Sequence, residues 1–347
     1  MKKIFVTGAA GFIGSSLCKT LAEAGDEVIG IDNLNSYYDV ELKYGRLKAL
    51  LGIDKGNIQK GGMCSSGDYP NFRFFQGDIV DYTVLSELFV REKFDVVCNL
   101  AAQAGVRYSL VNPQTYGESN LIGFLNILEV CRHYKVDHLV YASSSSVYGK
   151  NEKSPFSESD RTDAPVSLYA ATKKANELMA YSYSSLYGLH TTGLRFFTVY
   201  GPWGRPDMAP YLFMDSIANG REIRVFNHGD MKRDFTYIDD IVDAVVRVIH
   251  KIPETGQQLY ELYNVGHSEP VDLMDFIRSI ENVVGKKAIC RYEDMQPGDV
   301  PCTYADVDLL KKAFGYVPHT NIYTGMTETY KWYCEWEKIQ SKTKNGE

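Results

Sequence analysis

The stretch KIFVTGAAGFIG, residues 3–14, joins an apolar run to the start of an amphipathic pattern. An apolar run that ends in glycine predicts a buried strand, and the residues after it predict a helix. Gly8 permits the tight turn between them, Gly11 lets the backbone approach a pyrophosphate, and Gly14 lets the helix pack close to the strand. The N–H groups and dipole of the helix N-terminus favour an anion there. Although the spacing G-x-x-G-x-x-G differs from the dehydrogenase fingerprint G-x-G-x-x-G, the stretch predicts a dinucleotide site.

An acidic residue supports this prediction. The strand EVIGID ends in Asp32, 18 residues after Gly14. A carboxylate there accepts hydrogen bonds from the adenosine ribose and repels a 2′-phosphate, so the sequence predicts NAD rather than NADP. Asp78 and Ile79, after the third predicted strand, are candidates to meet the adenine edge. The alternative for Asp78 is a cap of the helix that follows Asp81.

Strand-like and helical patterns alternate along the first part of the chain. This alternation predicts an α/β fold, a Rossmann-type doubly wound parallel sheet with right-handed crossovers and helices on both faces. Residues 1–197 with about 236–268 are predicted to form this domain. About 198–235 and 269–340 are predicted to form a smaller mixed C-terminal lobe that binds the substrate, and 340–347 a polar frayed tail.

Two segments outside the regular alternation also carry predictions. Residues 33–71 are polar and glycine-rich, and predict a helix at about 39–51 followed by an exposed loop. Residues 115–135 predict one long helix.

Composition narrows the class of protein. The chain has 347 residues, 44% of them apolar, which suits one large domain or two interlocked domains. The net charge of −7 and the lack of a basic block make a nucleic-acid partner improbable. No apolar run is long enough for a bilayer, and the N-terminus does not read as a signal peptide. The seven cysteines form no C-x-x-C pair, so we expect reduced thiols, a cytoplasmic location and no metal.

A tyrosine and a lysine form the motif YAATK on a predicted helix. Tyr169 and Lys173 share one helix face because they are four residues apart. A nearby lysine and a positive nicotinamide ring both favour tyrosinate, so Tyr169 is predicted to act as a base near neutral pH. Lys173 is also a candidate to bind the nicotinamide ribose. The alternative is two ordinary surface residues.

Six motifs in this order resemble the extended short-chain dehydrogenase/reductase family, specifically its nucleotide-sugar epimerases and dehydratases. They are TGAAGFIG, GDI, NLAAQAGVR, SSSSVYG, YAATKKANE and RDFTYIDDI. The resemblance implies a tightly held NAD, a UDP- or dTDP-sugar in the C-terminal lobe, and oxidation of the sugar at C4 to a 4-keto intermediate. It implies that these residues hold the cofactor: Gly8, Gly11, Phe12, Ile13, Gly14, Asp32, Asn33, Asp78, Ile79, Ala101, Asn120, Tyr169 and Lys173. For Asn120 the alternative is a helix cap or simple packing.

The serine-rich loop bears on what happens to the ketone. The resemblance implies that Ser144 hydrogen-bonds the C4 hydroxyl. The family's 4,6-dehydratases have an acid and a base, Asp and Glu, at the next two positions, where this chain has Ser145 and Ser146. Hydroxyls cannot perform that elimination at neutral pH. Epimerisation needs no further acid or base, because the keto sugar turns over and takes back the hydride on its other face.

Two segments, 33–47 and 195–210, resemble the UDP-glucuronate 4-epimerases. Galactose epimerases usually have Asn in place of Thr198 and lack the loop GPWGRPDM. The resemblance implies a substrate with a C5 carboxylate, for which Thr198 and the serines offer hydroxyls, and Arg205 and Arg107 offer charged forks. The alternatives are loop anchoring for the two arginines and an ordinary strand-end hydroxyl for Thr198.

The outer lobe supplies further candidates by resemblance. Arg233 matches a pyrophosphate-binding arginine, and Val225 with Phe226 resembles a uracil-binding edge. Within MQPGDV, Gln296 stands where galactose epimerases have a second arginine, and Asp299 is a further candidate substrate contact. The second diphosphate contact is therefore open, with Arg205 as a possible substitute.

Other functions remain open from the sequence. They are a 4-epimerase of UDP-glucose or UDP-N-acetylglucosamine, a UDP-glucuronate decarboxylase, and a dinucleotide-sensing regulator that lost catalysis. Intact Tyr169, Lys173 and Ser144 argue against the regulator. Family resemblance also implies a homodimer formed by two helices from each chain, at about 113–134 and 168–187, with no membrane or nucleic-acid partner.

Overall fold

The computed structural model describes residues 1–251, 259–296 and 299–345, without the side chains of 342–345. The described part forms a sheet of eight strands in the order β11-β7-β6-β5-β1-β2-β4-β3, with two smaller sheets, β12-β10-β8 and β13-β9. The strands are β1 (Lys3–Thr7), β2 (Glu27–Asp32), β3 (Met63–Ser65), β4 (Phe72–Gln76), β5 (Val96–Asn99), β6 (His138–Ser144), β7 (Thr191–Phe196), β8 (Thr198–Tyr200), β9 (Glu222–Phe226), β10 (Lys232–Tyr237), β11 (Tyr260–Val265), β12 (Pro270–Asp272) and β13 (Ile289–Glu293).

Helices lie between most of the strands. They are α1 (Phe12–Glu23), α2 (Val40–Leu51), α3 (Tyr82–Glu92), α4 (Tyr108–Val111), α5 (Pro113–Tyr116), α6 (Gly123–His133), α7 (Leu168–Tyr187), α8 (Ala209–Ala218), α9 (Ile238–His250), α10 (Leu273–Val284), α11 (Asp308–Phe314) and α12 (Ile322–Asn345). Because β1 alternates its side chains, Ile4 and Val6 pack under α1 and α9, whereas Phe5 packs with α3 and α6 on the opposite face. The predicted α/β doubly wound fold is confirmed.

The large sheet is parallel except at one edge. Strand β3 pairs antiparallel with β4, inside the segment that the sequence predicts as a loop. Its three residues are half-buried or exposed and carry no strong strand pattern, so pairing with β4 decides their conformation. Helix α2 agrees with the helix predicted at about 39–51.

The predicted long helix at 115–135 is not one regular helix. Helix α5 passes into a π-helical segment, Gly117–Ile122, which passes into α6. Such π turns within helices frequently occur at functional sites. Asn120 lies in this segment, with a side chain that is almost fully buried.

The smaller sheets lie beyond the carboxyl edge of the large sheet, where β8 follows β7 almost directly. Strand β8 pairs in parallel with β10, while β11 rejoins the large sheet beside β7. Part of the predicted return segment, 252–258, lies outside the described residues. Helix α12 reaches Asn345 and so continues through most of the predicted polar tail, of which 346–347 also lie outside.

The described residues contain neither a membrane-spanning helix nor a candidate metal site. None of their helices is long and apolar enough to cross a membrane. None of their His, Cys, Asp and Glu side chains form a group of three or more that could hold a metal ion.

Candidate functional site

A cavity of about 1060 Å³ lies at the carboxyl edge of the large sheet, between that sheet and the outer lobe. Its walls come from the glycine turn, the loops after β4, β5 and β6, the start of α7 and the segment around β8. It brings together most of the residues predicted from the sequence: Gly8, Gly11, Phe12, Ile13, Gly14, Asp32, Asn33, Asp78, Ile79, Ala101, Arg107, Ser144, Ser145, Ser146, Tyr169, Lys173, Thr198, Arg205, Phe226, Arg233 and Asp299.

Three predicted site residues do not line the cavity. Asn120 is 2% exposed, accepts a hydrogen bond from the Gln103 amide at 2.8 Å and donates to the Thr172 hydroxyl at 3.1 Å. It therefore ties the loop after β5 to α7, which supports the packing alternative, and the cofactor contact of Asn120 stays a prediction. The Val225 side chain is fully buried in the core. Gln296 accepts a hydrogen bond from the Asp299 amide through its backbone carbonyl, so it braces a loop.

The glycine turn has the shape that a pyrophosphate requires. Gly8 has a φ of +73°, and a Cβ there would lie 3.0 Å from the Ala101 nitrogen. A Cβ at Gly14 would lie 2.1 Å from the Gly8 carbonyl oxygen, so a side chain would push the helix off the strand. Gly11 is the N-cap of α1 and offers no side chain to cap it. The first turn of α1 is thus open to an anion, and the cradle fits a dinucleotide.

The carboxylate of Asp32 is buried beside this turn. It accepts hydrogen bonds from the Ala10 amide at 3.2 Å and the Leu34 amide at 2.8 Å. Lys43 of α2 forms an ion pair with it, Nζ to Oδ1 at 3.2 Å, and also lines the cavity. Sequence reasoning missed Lys43, because a lysine inside a polar helix normally faces water. Asp32 is therefore oriented by a cation and two amides.

The acidic residue after β4 has a different partner from the one in the capping alternative. Asp78 accepts hydrogen bonds from the Asn33 side chain at 2.9 Å and from the Val80 amide at 3.0 Å. The cap of α3 is Asp81, which accepts from the Val84 amide. The helix-cap alternative for Asp78 is thus wrong, and Asp78 joins Asn33 at the cavity wall.

The tyrosine and lysine of the YAATK motif both reach the cavity from α7. Lys173 donates from Nζ to the Ala142 carbonyl at 2.8 Å, and burial lowers the pKa of Lys173 to about 8. Burial raises the pKa of Tyr169, while a hydrogen bond with Ser144 and the charge of Arg205 oppose this rise. Arg205 is thus a protein cation that favours the tyrosinate. The predicted effect of Lys173 on the pKa of Tyr169 stays a prediction.

The serine loop places hydroxyls where the dehydratases of the family have carboxyl groups. Ser144 ends β6, and its Oγ accepts from the Ser146 amide at 3.2 Å and contacts the Ser146 Oγ at 3.2 Å. Ser145 follows in a 3₁₀ turn that also lines the cavity. Thr198, the first residue of β8, also lines the cavity. This arrangement offers hydrogen bonds to a substrate but no general acid of the carboxyl type.

Arg205 lies in a small charged cluster at the cavity wall. Its Nε and Nη2 donate to both carboxylate oxygens of Asp207, at 3.0 and 2.5 Å. The Tyr37 phenol donates to Asp207 at 2.9 Å, and the guanidinium lies 5.9 Å from the centre of the Tyr37 ring. Burial would lower the pKa of Arg205, but Asp207 outweighs burial and raises it. Sequence reasoning missed Tyr37 and Asp207, since no local pattern links positions so far apart.

Two arginines converge on one carboxylate in the outer part of the cavity. Arg233 donates to Asp299 at 2.8 Å, and Arg107 approaches the same carboxylate at 3.9 Å. The Arg107 guanidinium also lies 4.7 Å from the centre of the Phe226 ring. Two cations beside an aromatic ring can hold a diphosphate and a base.

The chain is similar to known proteins in both sequence and structure. The profile of the "NAD dependent epimerase/dehydratase family" matches residues 4–266. "Protein CapI" of Staphylococcus aureus is 51% identical and covers 97% of this chain and 99% of its own. A "probable UDP-glucuronate 4-epimerase" of Rhizobium meliloti is 43% identical over 95% of this chain and 96% of its own. The structure of UDP-glucuronic acid 4-epimerase from Bacillus cereus, in complex with UDP-glucuronic acid and NAD, superposes with a TM-score of 0.85 at 33% identity, covering 96% of this chain and 99% of that one.

Proposed function

Since the chain belongs to the NAD-dependent epimerase/dehydratase family, we propose that it interconverts UDP-glucuronate and UDP-galacturonate at C4. The observation that carries the proposal is the conjunction, in one cavity, of Tyr169, Lys173 and Ser144 with hydroxyls at the two positions after Ser144. Similarity to the Rhizobium and Bacillus proteins supports the uronate as substrate.

NAD fits the inner part of the cavity. The open N-terminus of α1 would hold its pyrophosphate, Asp32 and Lys43 its adenosine ribose, and Asp78 its adenine. When bound, NAD would supply the acceptor for the hydride from C4 of the sugar and the donor for its return, so the reaction would be redox-neutral overall. A cofactor that is regenerated in each cycle has no need to leave, and we expect a resident NAD.

The chain's own groups handle the proton. Tyr169 accepts the proton of the C4 hydroxyl as that carbon is oxidised, and gives it back on reduction. Ser144, hydrogen-bonded to the phenol, holds the C4 oxygen. The positive charge of Arg205 stabilises the tyrosinate. Lys173, which donates to the Ala142 carbonyl, would bind the nicotinamide ribose.

The outer cavity would hold the rest of the nucleotide sugar. Arg233 and Arg107 are proposed to bind the diphosphate, and Phe226 the uracil. The C5 carboxylate would receive hydrogen bonds from Ser146 and Thr198 and charge from Arg205. These assignments are supported by the lining of a single cavity by all of these groups.

We also propose that two copies of the chain associate. The outward faces of α6 and α7 expose apolar side chains, among them Leu125, Leu178 and Leu186, which are 36%, 57% and 71% exposed. Exposed apolar residues along neighbouring helices favour an interface. A cytoplasmic location is proposed as well, supported by seven cysteines that are all free.

The test is direct. Purified protein incubated with UDP-glucuronate and no added NAD is expected to form UDP-galacturonate, followed by NMR or chromatography. Tyr169→Phe removes the proton acceptor and should slow the reaction about 10²–10⁴-fold. Parallel incubations with UDP-glucose and UDP-N-acetylglucosamine test the neutral-sugar alternative, and UDP-xylose would reveal a decarboxylase. Unchanged UDP-glucuronate would refute the proposal.

A further inference from the structure

A short segment, residues 203–207, runs beside the glycine turn; we refer to it as the strap. Arg46 of α2, which is 0% exposed, joins the two. It donates to the Trp203 carbonyl at 2.7 Å and to the Ala10 carbonyl of the glycine turn at 3.1 Å. A Cβ at Gly204 would lie 4.0 Å from the Phe12 ring, at the start of α1. The strap therefore borders the part of the cavity that fits a pyrophosphate.

The first half of the strap is firmly anchored. The Trp203 ring packs at 5.3 Å from the rings of both Trp332 and Trp336 on α12, and Arg46 fixes its carbonyl from the other side. A buried guanidinium that satisfies several carbonyls is costly to disrupt. Because the end of the strap at Trp203 is anchored in this way, we do not expect the cofactor cleft to open there.

The second half is held by a cluster of side chains that is mostly buried but, unlike Arg46, keeps some contact with solvent. Asp207 at its end accepts from the Tyr37 phenol, and Tyr37 belongs to the loop that continues from Asp32. The side chains of Arg205 and Asp207 are 20% and 31% exposed. A single hydrogen bond to a carboxylate that keeps some solvent contact can break and re-form more readily than the fully buried Arg46 cluster, which satisfies several carbonyls at once.

We propose that the contact between Tyr37 and Asp207 is a latch that holds the strap closed over the cofactor cleft, and that its opening limits the escape of NAD. Both residues line the cavity, and their contact connects the loop beside the predicted ribose site with the strap beside the glycine turn. The proposal rests on the NAD site of the proposed function and not on the identity of the sugar. Tyr37 and Asp207 are positioning residues in this scheme.

The latch explains how a cofactor can be retained without a covalent bond. NAD that meets a rigid anchored edge on one side and a breakable contact on the other leaves only when the latch is open. The dissociation rate is then the intrinsic rate multiplied by the open fraction. Strengthening or weakening one hydrogen bond to a charged group changes that fraction by a factor of about ten or more.

The experiment measures NAD release with no sugar present. Holoprotein, loaded with NAD where necessary, is diluted into buffer with an enzymatic NAD trap, and retained NAD is quantified over time by chromatography. Tyr37→Phe keeps the ring but loses the donor, and Asp207→Asn loses the charge. Both are expected to release NAD at least about tenfold faster than the unmodified protein. Asp207→Glu, which keeps a carboxylate, should restore part of the slow release.

Tyr108→Phe is the matched control. Its ring lies 4.8 Å from that of Tyr37, but its phenol accepts from the Asn112 side chain in its own segment and does not reach the strap. It should release NAD at the unmodified rate. Thermal midpoints at saturating NAD verify that each variant is folded. Unchanged release from both Tyr37→Phe and Asp207→Asn, in folded proteins, would overturn the latch. A wrong sugar assignment would not affect this readout.

Discussion

In the proposed reaction, hydroxyl groups must fix the orientation of the substrate carboxylate. A uronate oxidised at C4 is a β-keto acid, which can lose carbon dioxide when its C5–C6 bond lies in line with the ketone π system. An epimerase must therefore hold the carboxylate out of that alignment. Ser146 and Thr198 both line the cavity and can impose this orientation.

Replacing either hydroxyl should change the product ratio. We expect Thr198→Ala or Ser146→Ala to raise the share of pentose nucleotide relative to epimer, because the carboxylate gains rotational freedom. Both products can be quantified by chromatography after reaction with UDP-glucuronate. Thr327→Ala, which removes an exposed hydroxyl on α12, is the control and should leave the ratio unchanged. An unaltered ratio in both cavity variants would contradict the hydroxyl hypothesis.

A buried histidine makes folding sensitive to acid. His138 is fully buried, stacks on the His190 ring at 4.4 Å and hydrogen-bonds the Thr192 hydroxyl. Burial lowers the pKa of His138, and His190 and Lys2 lower it further. Below about pH 6.5, the ordinary pKa of histidine, the unfolded chain binds a proton that the folded chain refuses. Stability is therefore complete above that pH and falls as the pH is lowered.

His138→Gln should reduce this loss. The free energy of unfolding of the unmodified protein is expected to fall between pH 6.5 and 5 by up to about 1.4 kcal/mol per pH unit more than that of the variant. Urea unfolding across this pH range measures the difference. His228→Gln, at an exposed histidine, serves as control and should keep the unmodified slope. Parallel curves for His138→Gln and the unmodified protein would count against the assignment.

Among the individual site residues, the sequence predicted those that lie within motifs and missed their partners from distant parts of the chain. Tyr169, Lys173 and the glycines stand in local patterns whose spacing has a physical meaning. Lys43 and Asp207 become part of the site only because the fold brings them beside Asp32 and Arg205. The effect of Arg205 on Tyr169 was missed for the same reason, since the charge acts through space.

Helix α7 is the element that carries the proposed proton transfer. Two turns after Tyr169, its Glu177 pairs with Arg195 of β7, Nε to Oε1 at 2.8 Å, and both side chains are nearly inaccessible. Ser143 at the end of β6 donates to the same carboxylate at 2.7 Å. The pair therefore holds the helix to the strand that ends in Ser144 and to the strand that leads to Thr198.

Breaking this pair should be costly. Glu177→Gln or Arg195→Met leaves one buried group without its bidentate partner, and we expect a loss of about 3–5 kcal/mol in the free energy of unfolding. The double variant should lose less than the sum of the two. Urea unfolding provides the values. Glu328→Gln, which breaks an exposed ion pair with Lys331 on α12, should cost far less. Additive losses would show that the pair does not act as a unit.

Helices and strands with a strong apolar periodicity were predictable from the sequence. Elements whose conformation depends on tertiary contacts were not. The strands of the large parallel sheet and α1 follow from apolar period and glycine turns. No sequence pattern indicates the π turn at Gly117–Ile122. It occurs together with the buried hydrogen bonds of Asn120, which are tertiary contacts and leave no trace in the apolar period. Strand β3 depends in the same way on the exposed edge of β4.

The whole molecule places one cavity between two unlike parts, a parallel sheet that fits the cofactor and an outer lobe that fits the nucleotide sugar. The division into these parts was predicted from the loosened pattern after about residue 200, and remains a proposal as to domain boundaries. The predicted homodimer concerns the opposite side of the molecule, where α6 and α7 face outward.

A charge on that outward face should separate the proposed dimer. Leu178→Asp on α7 is expected to convert a two-chain particle into a single chain, because a buried unpaired carboxylate in an apolar interface is strongly unfavourable. Sedimentation velocity measures the mass. Leu309→Asp on α11 alters a leucine of similar exposure, 49% against 57%, and should leave the mass unchanged. A single-chain mass for the unmodified protein would refute the dimer.

Helix α7 presents Tyr169 and Lys173 on its cavity side and Leu178 and Tyr181 on its outer side. In the proposed dimer, α7 would contact the partner chain on its outer side and position Tyr169 at the sugar on its cavity side. A small molecule wedged between the two copies would then disturb proton transfer from behind. Such an inhibitor would be noncompetitive, since more nucleotide sugar could not displace it. Its selectivity would come from contacts with the interface leucines rather than from the NAD cleft, which many other enzymes share.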